Sequence, residues 1–321
     1  MNLKYCICFF WFLSFILSFS SVQKWSITTE YLHYRNQSVS FGNHLLACRY
    51  LRQYRNGTLH HGCQFDTTDS ILFIMNFHYN NYTPVHFIET GYFKEFSRRF
   101  KYSVDLVLVG PIEDESKGVY GTGTPRMGFY SYHSFSYAYD LFNPRRGFSY
   151  YGFMFLNDDS CLNPWVLNTL PFNVSYSEWG RKPVHNTTNW KFVTFKNTYG
   201  ITNYQAVTEA LKEMNDRNLH CGPYHVTSHP YCARGDFFYV YRRHSLLIRE
   251  IFQTMYKYRV FLEITVPTAL ESVNASEITS CNHFQRFYKY SCGHYHPTKF
   301  SNMQMRTKCV NRIINSTFYW E

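Results

Sequence analysis

From Ser70 onward, uninterrupted apolar runs alternate with segments of helical spacing. "SILFIMNFHY" (70–79), "SVDLVLVGP" (103–111) and "FSYYGFMFLN" (148–157) are continuous apolar stretches that end at polar or turn-forming residues. That pattern predicts strands buried on both faces. Between them, "PVHFIETGYFKEFSRRF" (84–100) puts Val85, Ile88, Tyr92 and Phe96 near helical spacing, and 130–142 predicts a helix closing before Pro144. The segment 118–128 has glycines too irregular for a phosphate loop and predicts a mobile loop near the site. Downstream, 203–216 predicts an amphipathic helix with Val207, Ala210, Leu211 and Met214 on one face. Residues 235–241 predict a strand, 244–258 a helix, and 259–270 a strand or a strand–helix junction. Ahead of Ser70, residues 23–68 are polar and without a strong period.

Strand, helix, strand, helix, strand is the pattern of an α/β fold, a mostly parallel sheet with covering helices. The gaps between the three apolar runs, about 24 and about 37 residues, are long enough for the crossovers that parallel strands need. Ligands of such sheets bind at the carboxyl ends of the strands. Asn157-Asp158-Asp159 stands at that end of the third strand, so its position suits function, although a fold alone names none.

Composition sharpens the setting. The 321 residues carry a net charge of +10, with 45% apolar and 20% aromatic residues. This is a globular composition whose basic surface favours anionic partners. Nothing resembles a zinc finger, an RNA-recognition signature or a long basic block, which argues against nucleic acid. At the N-terminus Lys4 precedes an apolar run from Tyr5 to Val22 with small residues at its end. That run fits a signal peptide, with an uncleaved signal anchor (type II membrane) as the alternative. Either places the rest of the chain in the secretory pathway, in the Golgi lumen or secreted. Sequons begin at Asn36, Asn56, Asn81, Asn173, Asn186, Asn274 and Asn315. Beyond the leader's Cys6 and Cys8 there are Cys48, Cys63, Cys161, Cys221, Cys232, Cys281, Cys292 and Cys309, an even set that reads as disulfides. Cys48–Cys63 and Cys221–Cys232 are candidate local pairs. The expected organisation is a leader (1–22), a lumenal lead-in (23–68), a main domain (69–275) and a Cys- and aromatic-rich extension (276–321), with both extensions pinned by disulfides.

In a strand, residues i and i+2 share a face, so Asn157 and Asp159 share one while Asp158 points away. Oxygen ligands at a strand end suit Mg²⁺ or Mn²⁺, which take further ligands from substrate phosphates. The alternative is an Asx turn that ends the strand. His294-Tyr-His296 offers two imidazoles to a metal, zinc included. No G-x-S-x-G elbow, H-E-x-x-H or Walker loop is present.

The order of blocks is an apolar strand, Asn157-Asp158-Asp159, Leu162-Asn163-x-Trp165, then "DFFYVYRR" from Asp236 to Arg243, then Val266-Pro267. It resembles the STELLO family of Golgi glycosyltransferase-like proteins and animal relatives, over roughly residues 70–270. The resemblance implies a glycosyltransferase-A type fold, a nucleotide-sugar donor, a glycan or glycoprotein acceptor and a divalent metal. By position, Asp158 and Asp159 match the acidic pair, and Asp236 with Arg242 and Arg243 matches the later strand motif. Ser160-Cys161 departs from the apolar residues expected after the pair, and the short leader departs from a long membrane anchor. On this reading Asp159, with Asp158 or Asn157, holds Mn²⁺ or Mg²⁺, and Asp159 matters more than Asp158. Asn76 and His78 border the nucleotide, Arg242 and Arg243 engage phosphate, and Asp236 or Glu263 is the base of an inverting enzyme. The rival is a non-catalytic glycan-binding module on the same fold; a metal-dependent hydrolase is a third option.

Overall fold

A computed structural model describes residues 46–124, 127–158, 160–177, 181–185 and 191–277, with 294–295, 310–311 and 314. Its centre is a nine-stranded mixed sheet. The strands are β1 (Arg52–Arg55), β2 (Thr58–His61), β3 (Ser70–Asn76), β4 (Ser103–Gly110), β5 (Tyr120–Gly121), β6 (Gly152–Asn157), β7 (Tyr176–Ser177), β8 (Phe237–Tyr241) and β9 (Ser276–Glu277). They lie in the order β9-β7-β8-β6-β3-β4-β1-β2, with β5 extending β4. β3 pairs in parallel with β4 on one side and β6 on the other. β8 runs antiparallel between β6 and β7.

The three long apolar runs are strands because both faces of the sheet are covered. Ile71, Phe73 and Met75 face one apolar layer, and Leu72 and Ile74 face the other. The first layer is closed by helix α1 (85–97), whose Val85, Ile88, Tyr92, Phe93 and Phe96 are buried. A wide turn over Ile88–Phe93 lets the adjacent Tyr92 and Phe93 both reach the core. The second layer holds α2 (His133–Leu141), α3 (Asn203–Asp216), α4 (Ser245–Lys257) and α5 (Leu262–Glu271). α3 has the bounds its periodicity predicts, and Thr202 with Gln205 forms a capping box at its start.

Gly152 shows how tightly the strands are set. A Cβ there would overlap the hydroxyl of the fully buried Tyr239. Gly152→Ala should therefore cost about 1–3 kcal/mol through overpacking, measured as a lower urea midpoint. An unchanged midpoint would contradict this packing.

Several expectations need correction. The lead-in contains a hairpin, β1–β2, that joins the sheet through antiparallel pairing with β4. Asn56 (φ 48°) and Gly57 (φ 79°) form its two-residue turn, the left-handed pair that such hairpins require. The 118–128 loop contributes β5 to the sheet. The strand at 235–241 is antiparallel, so the sheet is mixed. Residues 262–271 are helical, not a strand, although Pro267 lies inside. Pro267 has no N–H to offer the carbonyl of Glu263, and that oxygen accepts the amide of Ala233 instead (3.0 Å). Cys48–Cys63 is a disulfide, as expected. Cys221–Cys232 is not: Cys232 is a free thiol. The two cysteines belong to different two-stranded sheets, 221 pairing with Tyr224 and 232 with Lys182. Most of the C-terminal extension, His296 included, lies outside the described residues, as do residues 5–22; His294–Tyr295 pairs with Cys161–Leu162. Among the described residues no helix is long and apolar enough to cross a membrane. The sequon asparagines that are described, Asn56, Asn81, Asn173 and Asn274, are all exposed.

Candidate functional site

The chain enters the parallel sheet at β3, continues to β4 on one side, and returns to β6 on the other. The crevice outside the carboxyl ends of β3 and β6 is thus a topological switch point, where open α/β sheets take their ligands. Asn76 ends β3 and Asn157 ends β6, directly opposite each other in the register.

Both asparagines are fully buried and hydrogen-bonded in a chain. Ser134 donates to Asn76 Oδ1 (2.7 Å), Asn76 Nδ2 to Asn157 Oδ1 (3.1 Å), and Asn157 Nδ2 to Asp236 Oδ1 (3.0 Å). The Asn157 side chain therefore braces the strand ends, and its oxygen is occupied by the Asn76 amide. The expectation that Asn157 shares a metal with Asp159 does not fit this arrangement, because an amide oxygen turned into the core cannot also face the crevice. Asp159 itself lies outside the described residues.

Asp158 turns the other way. Its backbone amide continues the ladder to Asn76 O (2.8 Å), and its carboxylate accepts from His78 Nδ1 (2.6 Å). A carboxylate only accepts, so the imidazole proton sits on Nδ1. Both side chains are about one-fifth exposed, at 19% and 20%.

Glu263 completes the group from the first turn of α5. Its Oε2 is sealed from solvent and has no hydrogen-bond partner among the described residues. Burial pushes its carboxyl up to about 7, and the neighbouring charge of Asp236 adds to the rise. Its own backbone amide, Lys191 and His78 pull the other way without offsetting it. Asp236, His78 and Glu263 are thus electrostatic neighbours at one strand edge.

The structure brings together Asn76, His78, Asn157, Asp158, Asp236 and Glu263. It does not bring Arg242 and Arg243 to them. β8 runs antiparallel to β6, so Asp236 precedes the strand at the carboxyl edge of β6 while the arginines follow it at the opposite edge. The five strand residues Phe237–Tyr241 lie between Asp236 and Arg242, a span of roughly 20 Å. Arg242 is exposed there, over the ring of Tyr151 (5.9 Å). Ser134 and Lys191, which the structure adds to the site, sit in segments whose spacing gave no signal for them.

Half-buried carboxylates, one with a sealed and unpartnered oxygen, can hold or move a proton, and their hard oxygens suit a divalent cation. Among the described residues no three His, Cys, Asp or Glu side chains stand close enough to hold a metal by themselves. An Mg²⁺-type ion needs only one or two carboxylates when substrate phosphates supply the rest, so this donor set is compatible with one. The chain matches no protein-family model and no curated protein, so its functional reading rests on the geometry of this crevice.

Proposed function

We propose that the chain is a lumenal or secreted metal-dependent glycosyltransferase that moves a sugar from a nucleotide-sugar donor to a glycan or glycoprotein acceptor. The observation that carries the reading is the acidic crevice at the β3/β6 switch point, with the unpartnered Glu263 oxygen beside Asp236. The exposed sequons and the Cys48–Cys63 disulfide agree with an oxidising secretory compartment. The charge of +10 suits an anionic donor.

In this reading Asp158 and Asp159 hold Mn²⁺ or Mg²⁺, which when bound offsets charge on the departing diphosphate. Asn76 and Asn157 fix the strand ends so that the crevice keeps its shape. His78, oriented by Asp158, borders the nucleotide. Glu263 takes the proton of the acceptor hydroxyl as that oxygen bonds to the sugar's anomeric carbon and the nucleoside diphosphate leaves. Burial, with the Asp236 charge adding to it, keeps the Glu263 carboxyl weakly acidic, matched to neutral pH.

The test is a screen of nucleotide sugars against the purified secreted chain, with Mn²⁺ or EDTA, for the wild type and Asp158→Asn. Donor binding should require the metal and weaken on the order of tenfold or more in the variant. If no donor binds with metal dependence or turns over in the wild type, the reading is wrong and the glycan-binding module takes its place. Sugar release that no acceptor accelerates would identify a hydrolase.

A further inference from the structure

Close in sequence to Glu263, Arg259 combines three features. It follows α4 with φ 56°, a left-handed conformation that favours glycine. Its guanidinium lies 3.9 Å over the ring of Tyr256, and its Nη1 is sealed from solvent with no hydrogen-bond partner among the described residues. Among those residues it has no carboxylate partner either. The other inward-turned arginines do: Arg52 meets Glu89, Arg55 meets Asp105, Arg181 meets Glu271 and Arg249 meets Asp140. The Arg259 charge is held by the Tyr256 and Tyr199 side chains with no carboxylate among the described residues, so the cation remains formally unbalanced and open to an anion.

His133 repeats the pattern. Its ring stacks on Tyr256 (centroids 3.9 Å, 9° apart), and its Nδ1 is also buried without a partner among the described residues. Two groups cannot both lie 3.9 Å over one face of a ring, so Tyr256 is sandwiched between the imidazole and the guanidinium. Burial first, and the Arg259 charge second, hold His133 down to about 4, so the ring is neutral and presents one N–H. The Tyr256 hydroxyl is tied to Thr124 (3.1 Å), which fixes the sandwich. Tyr199, 60% exposed, interacts with Arg259 and marks its solvent side.

Both segments lead into the crevice. Ser134, the residue after His133, donates to Asn76, and Glu263 lies four residues after Arg259. We propose that Arg259, braced by the Tyr256–His133 stack, is the anion cradle of this site and takes a diphosphate group. This deepens the transferase reading and rests on it for the source of the diphosphate. Arginine suits the task because its fork engages phosphate oxygens two at a time.

The probe is inorganic pyrophosphate, titrated calorimetrically into the full secreted chain in EDTA, so that neither sugar nor metal contributes. Arg259→Gly removes the fork and suits the left-handed backbone, so its Tm should equal or exceed the wild-type value. Its pyrophosphate affinity should fall on the order of tenfold to a hundredfold. His133→Phe keeps the stack, loses the N–H and should weaken binding by a smaller factor. No pyrophosphate binding by the wild type, or equal binding by Arg259→Gly, overturns the proposal. Pyrophosphate binding without any metal-dependent donor binding would sink the transferase reading and leave the cradle standing.

Discussion

Replacing Glu263 by Gln should stabilise the protein above pH 7 while abolishing most of the proposed transferase activity. The carboxyl titrates at about 7 in the folded chain, against 4.5 as its ordinary value. The folded state therefore holds a proton that the unfolded state has released between those two values. Stability linked to this group is present below pH 4.5, declines as pH rises toward 7, and stays lost above it. Gln carries no such proton. The variant should match the wild type near pH 4.5 and exceed it by on the order of 2–3 kcal/mol at pH 8, as read from urea midpoints across the range. If Glu263 is the base, the wild-type rate climbs as pH passes about 7, and Glu263→Gln lowers it by about 10²–10⁴-fold with the climb removed. Stability curves that run parallel at all pH values would remove the buried-acid interpretation. A retained rate would remove the catalytic one.

Asp105→Ala should produce the largest loss of stability in the molecule's polar framework. Asp105 is fully buried in β4 and accepts from Arg55 Nη1 (2.7 Å), Gln53 Nε2 (3.0 Å) and the Tyr150 hydroxyl (3.0 Å). Burial raises its carboxyl above the ordinary value, and the three donors work against that rise. Removing the acceptor leaves three donors facing a void, one of them a cation only partly open to water. Breaking a buried pair from one side costs about 3–5 kcal/mol. Asp105→Asn keeps an acceptor but no charge and should fall between. A measured loss below about 1 kcal/mol for the alanine variant would mean that water replaces the carboxylate there.

These two residues mark what the chain discloses before it is folded. The strands at 70–76, 103–110 and 152–157 were legible because burial on both faces leaves only apolar residues, and α3 because one of its faces is apolar. The hairpin was not, although Asn56-Gly57 announces its turn. Arg52, Gln53 and Arg55 break any apolar alternation there, yet they are held inward by Glu89 and Asp105. Helix α5 was obscured because Ile264, Thr265, Val266 and Pro267 all disfavour a helix, and the packing of its buried side chains overrides them. At the site, Asn76, His78 and Asp158 stand at or just past the ends of the apolar runs, whereas Asp236 precedes an antiparallel strand and Glu263 lies on helix α5, so the convergence of those two was not legible. Nor was the separation of Arg242 and Arg243, because an apolar run does not reveal which way its strand points. The inward turn of Asn157 was hidden for a similar reason: its partner Asn76 is 81 positions away.

The hairpin also decides how the sheet stops. β2 is the outermost described strand on its side, so one row of its backbone groups has no ladder to join. A bare row of that kind invites the strand of another molecule. Here the Cys48–Cys63 bridge closes the base of the hairpin, and the exposed Asn56 at its tip is an acceptor for an N-linked glycan. A bulky, hydrated sugar chain at that tip would crowd any neighbour trying to align. If the chain passes through the secretory route as proposed, oxidation and glycosylation there would act as the selvedge of the fabric, guarding this edge against the strand of another molecule.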